Sequence, residues 1–297
     1  MTGANAVDHI GIPVVDLDRA DDFYVNTVGL TFQTRRKNAD GSPRHTYVLA
    51  GENVVGLCLP GIHTEPSESG APRYGIALDT EERFHETVER ILSYGVPNGG
   101  IEEFDAPSPF VKALRFDDPD YNHMEVCLRR EPLDGICLSH VIFEATSLDR
   151  ARRFYMGALG LKPVGDLRGE ELYSARNGQL IGLKEVDALS DRTKRHGRAV
   201  HVAFDVTHGD FDTMVDMIQR LEGRSMGDHR AADGLRAPGE VSIFFFDPDT
   251  NHLQITAQGE EDWTLLPDEE KWERIKENRA KRGRGISSFD AGKTRAS

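Results

Sequence analysis

Three polar side chains sit where the sequence around them is apolar. His140 lies in CLSHVIF, His201 in AVHVAF and Gln254 in HLQIT. A buried polar group without a partner costs roughly 1–3 kcal/mol, so each of the three needs one. Two imidazoles and a side-chain oxygen satisfy that need together when they ligate one divalent cation. Three separate hydrogen bonds satisfy it equally well, and spacing alone leaves both readings open. His123 and His252 follow Asn in turns and are read as pointing away. His45, His63, His85 and His208 fall in polar loops or a helix and are read as surface.

What would gather the three residues is a repeat. DHIGIPVVDLDRADDFYVNTVGL from Asp8 aligns with SHVIFEATSLDRARRFYMGALGL from Ser139, pairing His9 with His140 at an offset of 131. GIALD from Gly75 aligns with HVAFD from His201, offset 126, and the segment FDDPDYNHMEV around Asp118 with FFDPDTNHLQI around Asp247, offset 129. On this alignment the first half supplies His9, Gly75 and Glu125 where the second supplies His140, His201 and Gln254.

Each half divides again into strand, helix and several strands. Apolar residues recurring every three to four positions, with a glycine stop, predict helices over Asp18–Val28 and Glu81–Tyr94, with Asp16 as an N-cap, and others near Asp149–Leu159 and Asp210–Glu222. The class is therefore α+β: four βαβββ modules in two homologous domains, 5–130 and 136–258, each a curved mixed sheet forming an incomplete barrel with helices outside. The linker EPLDG separates them, and a polar tail, 259–297, carries one possible helix, Asp268–Arg282. The Asp-Pro-Asp-x-Asn turns are expected to be structural.

Composition narrows the function classes. Of 297 residues, 36 are Lys or Arg and 50 Asp or Glu, a formal charge of −14, which argues against nucleic acid or an anionic membrane as partner. Three cysteines without CxxC spacing fit a reducing compartment, and no apolar run approaches the roughly 18–20 residues of a membrane span. The expectation is a cytoplasmic protein, a homo-oligomer with a small-molecule substrate.

The strand–helix segments and the Asp-Pro-Asp-x-Asn-His-x-(Glu/Gln) endings make the chain from Val7 to Ala257 resemble the vicinal oxygen chelate superfamily: glyoxalase I, bleomycin- and fosfomycin-resistance proteins and type I extradiol dioxygenases. Four modules in one chain resemble the dioxygenases in particular. That resemblance implies a divalent metal, Fe(II) first, with Mn(II), Zn(II) or Ni(II) as alternatives, held by His140, His201 and Gln254. A swapped pairing of modules, as in some hydroquinone-cleaving relatives, puts His9 in place of His140. It also implies a ring-cleaving dioxygenase of aromatic catabolism acting on a catechol, hydroquinone or related substrate. A glyoxalase-like lyase, isomerase or epimerase and a non-catalytic ligand-binding protein are the alternatives.

The sequence departs from the family pattern at several positions. Gln254 replaces a Glu ligand. Leu235 and Phe244 stand where dioxygenases carry a His and a Tyr. The family's upstream acid/base His falls near Val186, with His196 the nearest imidazole. Gly182 and Gly56 stand where glyoxalase I has a further acidic ligand, which implies an open three-ligand site. No catalytic acid or base is assigned.

Overall fold

The computed structural model describes residues 2–38, 40–59, 67–133, 135–191, 200–228 and 240–259, with Glu270, Glu273, Arg274 and Glu277. The predicted tail helix, but for those four residues, and His63, His196 and Leu235 lie outside the described residues.

The first module runs β1 (Ala6–Pro13), α1 (Leu17–Asp21) continuing as a π-helical stretch (Asp22–Val28), β2 (Thr31–Lys37), β3 (Pro43–Ala50) and β4 (Asn53–Cys58). The second comprises β5 (Arg73–Leu78), α2 (Glu81–Tyr94), β6 (Asn98–Glu103), β7 (Phe110–Asp117) and β8 (His123–Arg129). The third comprises β9 (Cys137–Ala145), α3 (Leu148–Gly157), β10 (Lys162–Leu167), β11 (Glu170–Ser174) and β12 (Leu180–Glu185). The fourth comprises β13 (Val202–Asp205), α4 (His208–Arg220), β14 (Arg224–Asp228), β15 (Val241–Phe246) and β16 (His252–Ala257). The helices begin as the sequence predicts: the Asp16 carboxylate accepts from the backbone amides of Asp18 and Arg19, and Thr80, Ser147 and Thr207 cap the other three. Gly29 and Gly95 stop the first two at φ +92° and +85°, a left-handed conformation that other residues adopt only with strain.

Each eight-stranded mixed sheet draws on both halves of the chain. One has the order β14-β15-β16-β13-β1-β4-β3-β2, joining modules one and four; the other, β10-β11-β12-β9-β5-β8-β7-β6, joins modules two and three. Sequence neighbours stay linked through the helix layer instead. Tyr24 donates to Asp118 at 2.7 Å, tying module one to module two, and Tyr155 donates to Asp247 at 2.9 Å, tying three to four. Those aspartates organise the Asp-Pro-Asp-x-Asn turns: Asp247 accepts from the amides of Asp249 and Asn251 and from the Asn251 side chain, and Asp118 does the same in its own turn.

One continuous apolar core takes side chains from both sheets and all four helices, including Ile10, Phe23, Phe84, Phe154, Phe204 and Phe211. A second, smaller cluster, including Ala77, Phe110, Cys127, Ile142 and Leu180, fills the inner face of the second sheet, the face turned away from the helices. On the inner face of the first sheet Ala203, Gln254 and His252 are buried.

Candidate metal centre

On the first sheet one row of paired residues crosses four strands. Phe244 of β15 pairs with Gln254 of β16, Gln254 with Ala203 of β13, and Ala203 with His9 of β1. Their neighbours Ile10, Val202, Phe204, Leu253 and Ile255 enter the core. Strand alternation therefore sends His9, Ala203, Gln254 and Phe244 to the inner face. His201, two residues before Ala203, shares that face. His9 Nε2 and His201 Nε2 approach to 2.9 Å, with the rings edge to face, their planes 87° apart.

The far side of the His9 ring is also engaged. Its Nδ1 lies 2.6 Å from Asp8 Oδ2, and the Gln258 side-chain amide donates to the other Asp8 oxygen at 3.0 Å. A carboxylate only accepts, so Nδ1 carries the proton and Nε2 presents its lone pair toward His201. Two imidazoles ligating one divalent cation in adjacent positions, with bonds of about 2.1 Å, have nitrogens roughly 3 Å apart. The observed pair fits that requirement. Among the described residues no group of three or more His, Cys, Asp and Glu side chains converges as a cage, and Gln254 shares this inner face through its pairing with Ala203. Two imidazoles and an amide would form a neutral ligand set, beside which a cation would keep one more unit of charge than beside a carboxylate.

The surroundings are aromatic and imidazole-rich. The Phe244 ring stands edge-on to His201 at 5.0 Å between centroids, and His252 lies 5.5 Å from it. His252 Nδ1 donates to the Val200 carbonyl at 3.0 Å. His252 thus faces the centre, contrary to its reading as a turn residue pointing away; lying two positions from Gln254 on β16, it shares that residue's face. His45 is likewise buried, not surface, its ring 4.8 Å from that of Tyr47 on β3.

His140 is not part of this group. It lies on β9 in the second sheet, so the set His140–His201–Gln254 is not brought together; module pairing separates it. The register also revises which residues correspond. Gly75 pairs with His140 and with Glu125, just as Ala203 pairs with His9 and Gln254. Gly75 therefore matches Ala203, offset 128 (203 − 75), and Arg73, not Gly75, matches His201 (201 − 73 = 128). Gly182 lies on β12 of the second sheet, the sheet of His140 and not of His9.

The matching position on the second sheet is a buried ion-pair network. Arg73 Nε lies 3.1 Å and Arg168 Nη1 2.8 Å from Glu125 Oε2, and Arg73 also binds both oxygens of Glu170, at 2.8 and 2.6 Å. Arg168 reaches across from the β10–β11 turn to Glu102 at 3.0 Å. His140 Nε2 is 3.7 Å from Glu125 Oε1. Burial opposes the charge on Glu125, but the His140 imidazole and the Arg73 and Arg168 guanidiniums outweigh it and hold the carboxyl well below the ordinary range. Burial depresses the pKa of His140 against the pull of Glu125, favouring the neutral ring.

Residues 6–126, the first two modules, match the Glyoxalase/Bleomycin resistance protein/Dioxygenase superfamily, and the remaining modules repeat them. That match covers 121 of the 297 residues and places the first two modules beside this superfamily. Solved structures share its fold. A "putative dioxygenase" from Bacillus subtilis subsp. subtilis str. 168 superposes with a TM-score of 0.67 at 17% identity, covering 87% of this chain and 86% of that one. The E144Q mutant of Zea mays glyoxalase I gives 0.61 at 19% identity, covering 84% of this chain and 93% of the other. Zea mays glyoxalase I gives 0.59 at 18%, covering 92% and 95%. At such identities the chain is similar to them in fold. No helix among its described residues is long and apolar enough to cross a membrane.

Proposed function

We propose that the inner face of the first sheet binds a divalent metal through His9, His201 and Gln254. On this reading the protein is a metal-dependent enzyme of the ring-cleaving, extradiol dioxygenase type, acting on a catechol, hydroquinone or related aromatic. The 2.9 Å approach of the two Nε2 atoms carries the proposal. Bound there, Fe(II) supplies Lewis acidity and a template for the reacting groups.

The chain's own residues do the rest. Asp8 keeps the His9 proton on Nδ1, so that Nε2 remains a ligand. Phe244, edge-on to His201, walls the centre with hydrocarbon and excludes water. The Gly11 amide donates to the His201 carbonyl, Gly11 pairs with Gly56, and Gly56 with Tyr47. This places Tyr47 on the row that runs from His201 through Gly11 and Gly56, its ring edge 3.5 Å from where a Gly56 Cβ would stand. His252 is oriented beside His201 by its Nδ1 bond to the Val200 carbonyl.

The neutral Gln254 supports a second reading, a glyoxalase-like lyase, isomerase or epimerase with Zn(II) or Ni(II), because a more positive cation stabilises an enediolate without redox chemistry. Anaerobic reconstitution with Fe(II), metal analysis, and oxygen uptake over a catechol and hydroquinone panel test the two. The first reading requires stoichiometric iron and oxygen consumption. Oxygen-indifferent turnover of a hemithioacetal with Zn(II) or Ni(II) would replace it with the second. Equal, near-zero metal in the native protein and in His201→Ala would leave a ligand-binding protein without a metal.

A further inference from the structure

The two inner faces each keep one carboxylate beside the histidine of the module's first strand, but in different places. On the second sheet it is Glu125, on the terminal strand in front of His140. On the first sheet that position holds the neutral Gln254, and the carboxylate is Asp8, behind His9 at 2.6 Å from Nδ1. The residue matching Asp8 is Ser139 (139 − 8 = 131), whose hydroxyl meets His140 Nδ1 at 3.1 Å. Charge removed from the ligand position of the first sheet thus reappears one bond further out.

Asp8 is also held. Gln258, just past the end of β16, donates to Oδ1 at 3.0 Å while Oδ2 accepts from His9, so both carboxylate oxygens are committed and the His9 ring is aimed. A carboxylate bonded to the outer nitrogen of a ligating imidazole raises the basicity of the inner one and fixes its direction.

We propose that Asp8 is the charge-compensating positioning residue of the metal centre, with Gln258 as its orienting partner. Asp8 strengthens His9 as a donor and returns to the site the negative charge that Gln254 does not supply. The inference rests on the metal-binding reading above. A purely structural alternative is that Asp8 only ties β1 to the end of β16 through Gln258.

The test is calorimetric titration of the full chain with Mn(II), together with thermal unfolding in chelator. Asp8→Asn is expected to weaken Mn(II) binding by about 10- to 100-fold, and Gln258→Ala by less, with melting in chelator unchanged. Adding Gln254→Glu to Asp8→Asn should recover most of the loss, because the charge returns by the other route. Should Asp8→Asn fail to fold, Asp8→Ser copies the arrangement that the second sheet already tolerates. Mn(II) affinity within about twofold of the native protein in Asp8→Asn would overturn the proposal. A loss that tracks a fall in chelator-state stability and is not recovered by Gln254→Glu would overturn it in favour of the strand tie. A native protein that binds neither Mn(II) nor Fe(II) would overturn both this inference and the metal reading.

Discussion

The inner faces of the two sheets are the same scaffold used in opposite ways. His9 corresponds to His140, His201 to Arg73, Gln254 to Glu125, Asp8 to Ser139 and Ala203 to Gly75. Where the first sheet presents a second imidazole, the second presents a guanidinium. A buried carboxylate needs a cation, and the second sheet builds that cation into the chain, so Glu125 is neutralised by Arg73 and Arg168 and nothing need be recruited from solution. The smallest difference sets the posture of the histidines. A Cβ on Gly75 would lie 2.1 Å from the His140 ring, so that ring rests on bare backbone and its side chain is 1% exposed. At the equivalent place on the first sheet the Ala203 methyl blocks such a fit, and His9 stands up toward His201, 23% exposed. A methyl group, an Arg-to-His difference and a Glu-to-Gln difference are among the changes that separate a locked ion-pair network from a pair of convergent imidazoles.

Breaking the locked face should cost most. Glu125→Gln strands two buried guanidiniums and is expected to lower the unfolding free energy by about 3–5 kcal/mol, read by urea denaturation in chelator. Glu170 and Glu102 still hold Arg73 and Arg168, so the lower end of that range is expected. Breaking the first-sheet face should cost little in chelator and much in metal. His201→Ala should abolish the metal-dependent stabilisation, which is about 2.7 kcal/mol when free metal is 100 times its Kd. Gly75→Ala pushes His140 off its seat; a loss of about 1–3 kcal/mol is expected, with metal content unchanged. Gln254→Glu gives the first sheet a ligand carboxylate and should tighten divalent-metal binding by about tenfold, measured by competition with a chromophoric chelator.

The smallest effect lies in acid. Because the folded pKa of Glu125 lies below its unfolded value near 4.3, its stabilisation is present above about pH 4.3 and is lost as pH falls toward the folded value. The acid limb of the stability profile should therefore be flatter in Glu125→Gln than in the native protein. An unchanged limb would mean that the network is not what holds this carboxyl ionised.

Much of the architecture was readable beforehand. The Phe23-Tyr24 and Phe154-Tyr155 pairs, the glycine stops and the Asp-Pro-Asp-x-Asn turns are local patterns, and local patterns survive without knowledge of the partner. The candidate site was readable only as parts. Matching GIALD to HVAFD placed His201 on Gly75, two residues from the observed correspondence. A two-residue slip keeps every side chain on its own face, so alternation in sequence does not detect it. His252 was in reach, since its spacing of two from Gln254 on one strand implies a shared face, but its place beside a turn concealed it. The burial of His45 had no comparable signal.

The sequence by itself determined the four modules, the helices to within about two residues and which side chains of each strand are polar and share a face. Those depend on propensity, periodicity and capping, which act within about a dozen residues. Only the tertiary structure decided that module one joins module four, so that His9 meets His201 while His140 meets Glu125. Strands join through backbone hydrogen bonds common to every residue but proline, so β1 and β9 offer β13 the same kind of edge. The shared core and the Tyr–Asp bonds of the helix layer, which connect residues distant in sequence, accompany that choice.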